Sequence, residues 1–136
     1  MTALTNYTEN KLIDHIFRTA SFAKPTGLYI GLITAAADLE AGSVTEVTGA
    51  GYARIARAPL DANWNATTTN GTTANTASIQ FPAATADWGT VTHFGIWDAV
   101  TGGNLLIYAR LTNDRTITDG TTPSFGAGAL TFQVDN

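Results

Sequence analysis

The chain has 136 residues, of which 44% are hydrophobic and only 13% charged, with no cysteine and a formal net charge of −4. Disulfides and cysteine-based zinc sites are therefore excluded, and an acidic chain with scattered Lys and Arg is a poor partner for nucleic acid or an anionic membrane. The charged share is about half of the ~25% usual in soluble domains, so a surface rich in Thr and Ala is expected to be partly covered in an assembly.

The length suits one domain over 1–136, with 1–24 as an N-terminal helical arm. The N-terminal MTALTNYTENK has no basic n-region followed by an apolar h-region. No run reaches the roughly 18 apolar residues of a membrane span. Synthesis and folding in a cytoplasm are the expectation.

Residues 6–19 carry the only good helical period. Leu12, Ile13, Ile16 and Phe17 fall on one face, with Lys11, Asp14 and Arg18 elsewhere. Asn6 and Glu9 have the spacing of an N-terminal capping pair, and Arg18 suits the C-terminal end. So short a helix must dock to form, on its own sheet or on a neighbouring subunit.

GLYIGLITA (27–35) reads as a central strand covered on both faces, with Leu28, Ile30 and Leu32 pointing one way and Tyr29, Gly31 and Ile33 the other. The acidic 36–51 reads as a loop with a short edge strand at 44–47. YARIARAPL (52–60) reads as a strand ended by Pro59, and Arg54 and Arg57 on it would face opposite sides. The Thr/Asn-rich 61–75 is a long loop or a weak edge hairpin around Asn70-Gly71. TASIQFP (76–82) is a strand with Ala77, Ile79 and Phe81 inward.

Two strands at 90–98 and 104–111 flank Thr101-Gly102-Gly103 as a hairpin. Phe94 and Ile96 share one face of the first, and Leu105, Ile107, Ala109 and Leu111 one face of the second. Residues 115–128 hold a short strand and a turn. In the closing strand Leu130, Phe132 and Val134 share one face, and Thr131, Gln133 and Asp135 the other. Six to eight strands after one short helix predict a mainly β fold, a jelly-roll-like antiparallel β-sandwich.

Nothing in this pattern supplies a catalytic constellation. His15 and His93 lack ligand-spaced carboxylates, since Asp14 and His15 are adjacent on a helix and do not share a face; His93 would share its strand face with Val91, Gly95 and Trp97. Asp87 and Asp98 bracket one strand and would stand about 30 Å apart at ~3.3 Å per residue, beyond the ~5–10 Å that glycoside hydrolysis needs. Asp87, Asp98, Asp114 and Asp119 sit beside turns, where Asp bonds its own backbone. The GAG tripeptides at 49–51 and 126–128 open no helix and have no Gly-Lys-Thr/Ser, so they are turns or bulges and not phosphate loops. No catalytic, metal or cofactor-binding residue is expected. Trp64, in a polar loop, is the candidate exposed contact for a sugar.

The run DWGTVTHFGIWDAVTGGNLLIYARL (87–111) resembles a family of short virion proteins of tailed bacteriophages commonly labelled phage tail fibre protein. NKLIDHIFR (10–18), PTGLYIGLITA (25–35), GAGYARIA (49–56) and GALTFQVDN (128–136) carry the same likeness, which therefore spans nearly the whole chain. The resemblance implies a virion structural protein, made in the host bacterial cytoplasm, with no catalytic residue to carry over. Long fibre repeats and coiled coils are missing from the sequence. The first expectation is therefore a capsid cement or decoration protein, a homotrimer attached to the major capsid protein or other virion proteins through Leu12, Ile13, Ile16 and Phe17. The alternative is a tail-fibre or tail-tip component that binds a host glycan.

Overall fold

Apolar–polar patterning on either side of the 98–104 turn produces two long neighbouring strands, and the rest of the fold is laid against them. The computed structural model describes residues 2–67 and 70–134. In chain order the elements are β1 (Thr2–Leu4), α1 (Asn6–Phe17), β2 (Tyr29–Asp38), β3 (Ser43–Glu46), β4 (Ile55–Ala56), β5 (Thr72–Ala74), β6 (Ile79–Gln80), β7 (Gly89–Trp97), β8 (Leu105–Ile117), β9 (Ser124–Phe125) and β10 (Thr131–Gln133).

The main sheet is antiparallel in the order β1-β8-β7-β2-β3, and β4 also pairs with β2. Opposite it lie two small antiparallel pairs, β5 with β10 and β6 with β9. Between these layers sits the core: Ile30, Leu32, Phe94, Ile96 and Ala109 from the sheet meet Ile79, Phe81, Leu130 and Phe132 from the other side. The architecture is thus mainly β, an antiparallel sandwich with one helix, as the strand pattern predicts. Burying a side chain of this size contributes about 1.5–3 kcal/mol.

β2 is central and covered twice, as its two apolar faces require. Ile30 and Leu32 enter the core, while Ile33 joins Trp97 and Leu105 in a second cluster on the outer face. β7 occupies one edge of β2 over Tyr29–Ile33. The other edge is shared: β3 pairs from Ile33 outward and β4 only with Tyr29 and Ile30. That sharing explains why the expected strand at 52–60 shrinks to two residues.

Bulges overturn two expected faces. Ile96 pairs with Ile107 but Trp97 pairs with Leu105, so Leu106 is an extra residue in β8. The slip moves Leu105 out of the core and onto Trp97, away from Ile107, Ala109 and Leu111; one extra residue reverses every side chain beyond it. Nearer the other end, His93 pairs with Arg110 and Val91 with Arg115. The two-residue step on β7 therefore answers a five-residue step on β8, and 111–114 swell outward. Val91 consequently lies in the core and does not share a face with His93.

Smaller departures have local causes. Thr5, not Asn6, caps α1, accepting from the Thr8 N–H at 3.5 Å while donating to the Leu105 carbonyl at 2.6 Å. The sequence does not predict β1; three residues are too few for a period, and pairing with β8 is what orders them, Thr2 opposite Ala109 and Leu4 opposite Ile107. Ala77 and Val134 are exposed, because each lies outside the two or three residues that actually pair. Asp135, expected on the polar face of the last strand, and Thr68 and Thr69 of the polar loop lie outside the described residues. The loop after β7 turns at Gly102 and Gly103, with φ of 60° and 69°; a Cβ on Gly103 would stand 2.5 Å from the Asp98 carboxylate, so the Gly-Gly pair is required.

Candidate binding cleft

The outward swelling of β8 opens a cleft of about 820 Å³ between that strand and the β9–β10 side of the second layer. Its floor is apolar, with Leu32, Val91, Phe94 and Phe125 among the lining residues. Phe94 and Phe125 stand 5.5 Å apart, centroid to centroid. The rim is polar, formed by Asn113, Arg115, Ser124 and Gln133 together with Arg110. Arg110 is bound to Asp114 at 3.0 Å. Arg115 sits directly opposite Val91, so it leaves the sheet on the core-facing side, into the cleft. Among the described residues its side chain has neither a hydrogen bond nor an ion pair.

The regular hairpin predicted over 90–111 contains no such cleft. A signal was present: LTNDRT (111–116) places an Asn-Asp pair inside an otherwise β-patterned run, which marks an interruption. Its consequence for Arg115 depends on the register with β7, which local sequence does not encode.

The helix behaves differently from an ordinary core helix. It is fastened at its N-terminus, where Thr5 and Thr8 donate to the carbonyls of Leu105 and Leu106 and the Asn6 N–H donates to the carbonyl of Glu40. Exposure then rises along the predicted stripe, from 36% at Leu12 through 54% at Ile13 and 61% at Ile16 to 76% at Phe17. The four residues share a face, and that face leaves the body uncovered.

A second polar centre lies on the outer face of the sheet. Arg54 donates to both Glu46 carboxylate oxygens, at 2.8 and 2.7 Å, and to the carbonyls of Ala99 and Gly102 at 2.7 and 2.8 Å. Its guanidinium lies 4.1 Å from the Trp97 ring centroid. Tyr52 donates to Glu46 at 2.6 Å and accepts from the Leu32 N–H at 2.9 Å. Burial, then the hydrogen bond to Glu46, pushes the Tyr52 hydroxyl far above its ordinary pKa. This clamp joins β3 to the turn between β7 and β8. Arg57, in contrast, turns to the Ala56 and Ser78 carbonyls.

The remaining candidates are occupied locally. His15 accepts from the Phe22 N–H at 3.1 Å. His93 contacts the Thr92 hydroxyl at 2.8 Å, and burial followed by the Arg110 charge lowers its pKa. Asp98 accepts from the N–H and side-chain amide of Asn104, and Asp87 from the Asp119 N–H. Among the described residues no three His, Asp or Glu side chains are grouped to hold a metal ion, and no helix is long and apolar enough to cross a membrane. Trp64, the candidate exposed contact, is half buried: its ring packs edge-on against Phe132 at 5.7 Å and its N–H donates to the Ala58 carbonyl, which wedges the polar loop onto the core, and it also lines a hollow with Leu60 and Asn65.

A small antiparallel sandwich with a projecting helical arm and an open, polar-rimmed cleft is the class that this geometry defines. The chain belongs to the family described as Podophage GP4 fiber I protein gp80, whose sequence profile matches residues 3–133. It is a bacteriophage virion structural protein. No curated protein matches the chain.

Proposed function

We propose that this protein is a component of the phage tail-fibre apparatus that binds a glycan of the host surface and catalyses no reaction. The observation that carries the reading is the family match across residues 3–133, to a family described by a fiber protein. That description favours the fibre alternative over the capsid cement role. The test uses phage particles lacking this protein. They should retain their DNA on heating and osmotic shock as complete particles do, yet adsorb poorly to host cells. Particles that leak DNA and adsorb normally would restore the cement role.

The uncovered stripe of α1 supports a second part of the proposal, assembly of the protein into a homotrimer or onto other virion proteins through Leu12, Ile13, Ile16 and Phe17. A helix of twelve residues is marginal by itself, and an apolar face this exposed is a contact surface in waiting. Deleting the arm is a poor test, because residues 2–5 also supply an edge strand and the Thr5 anchor. Substituting Ile16→Asn and Phe17→Asn together should abolish self-association in sedimentation velocity. The unfolding free energy of the resulting monomer should stay within about 0.5 kcal/mol per exposed site of the parent body. An unchanged sedimentation coefficient would remove the stripe from self-assembly.

A further inference from the structure

We propose that the cleft between β8 and the β9–β10 layer binds the carboxylate of an acidic sugar, with Arg115 as the anion-binding residue. Of the other arginines, Arg18 is paired with Asp14, Arg54 with Glu46, and Arg110 with Asp114, while Arg57 donates to two carbonyls. Among the described arginines the Arg115 guanidinium alone is left without a partner, and Arg115 lines the large cleft. On a chain with a net charge of −4, an unneutralised cation facing a concavity is a local reversal of sign. The guanidinium fork matches a carboxylate with two parallel hydrogen bonds.

The rest of the lining selects a sugar over a bare anion. Phe125 is half buried and lies beside Phe94, so it offers a flat apolar surface to the C–H face of a pyranose ring. Asn113, Ser124 and Gln133 bring amide and hydroxyl groups to the rim, the chemistry that hydroxyls require. The volume, about 820 Å³, falls within the ~300–1,000 Å³ of small-ligand sites. Neither a lysine nor a glycine is among the residues that line the cleft, whereas a polyphosphate site draws on both. The source of such a sugar in a host surface polysaccharide rests on the fibre reading; the chemistry of the cleft does not.

The experiment is a titration of the full chain at low salt with trigalacturonic acid, followed by calorimetry and by amide chemical shifts. Shifts should concentrate at Asn113, Arg115 and Ser124. The methyl-esterified trisaccharide, which keeps the rings and loses the charge, should bind at least about tenfold more weakly, as expected for loss of one charge-assisted pair. Arg115→Gln should lose the same factor with an unchanged unfolding midpoint, since the residue is exposed; Arg115→Lys should keep part of it. Equal binding of acid and ester, shifts confined to other surfaces, or displacement by equimolar inorganic phosphate would each overturn the proposal. Binding of the acid by a protein whose absence leaves adsorption intact would uphold the cleft and reject the fibre reading; failure to bind, with adsorption lost, would do the reverse.

Discussion

Exchange of Glu46 for alanine should destabilise the fold by about 3 kcal/mol, the lower end of what is lost when one member of a buried ion pair is removed. The lower end is appropriate because the Glu46 side chain is 20% exposed, whereas that of Arg54 is only 6% exposed. In the variant the guanidinium keeps two carbonyl acceptors and the Trp97 face but loses both charge-assisted bonds. Tyr52 simultaneously loses the acceptor of its hydroxyl. Glu46→Gln should cost less, since it preserves the shape and one acceptor oxygen. Urea unfolding measures both. Adding Arg54→Met to Glu46→Ala should recover part of the loss, because it removes the orphaned charge. A cost below about 1 kcal/mol for Glu46→Ala, the range of exposed pairs, would mean that Arg54 escapes to solvent and that the clamp does not hold the turn.

Phe94→Ala should cost about 3–5 kcal/mol, the range for emptying an aromatic site that cannot collapse. Phe94 is 6% exposed, lies on the strand between β8 and β2, and meets Phe125 at 5.5 Å and Phe132 at 5.8 Å. Those rings belong to the opposite layer, so the substitution removes the plug between the two layers as well as its own buried area. The backbone on both sides is held by ladders to Leu32 and Ala109, which limits relaxation. The urea midpoint should fall with little change in slope. A near-neutral result would place Phe94 on an exposed face and reverse the register of β7. The same residue floors the cleft, so the variant should also weaken binding there.

Elements with a long period were legible. The alternation over 27–35 predicted a doubly covered strand, and Ile30, Leu32 and Ile33 are 0–2% exposed on its two faces. The Gly102-Gly103 turn followed from its residues, since left-handed backbone at consecutive positions selects glycine. The stripe Leu12, Ile13, Ile16 and Phe17 was equally readable as a helical face. Its orientation away from the body was not, because a period specifies which residues share a face but not what that face meets.

The mainly β class, the central strand, the hairpin, the helix and its apolar stripe were thus readable from the residues, because all of them arise from interactions among near neighbours along the chain. The likeness carried by 87–111 also pointed to a virion protein. Where those pieces slip against one another emerges from the packed fold. The extra residue at Leu106 sends Leu105 to the outer face, and the swelling at 111–114 separates Val91 from His93 and turns Arg115 into an open cleft. The clamp between Glu46 and Arg54, which reaches onward to the Gly102 carbonyl, is likewise invisible locally. Register and long-range pairing are settled by the summed packing of two layers, and a single inserted residue reverses every face beyond it; no local pattern contains that sum.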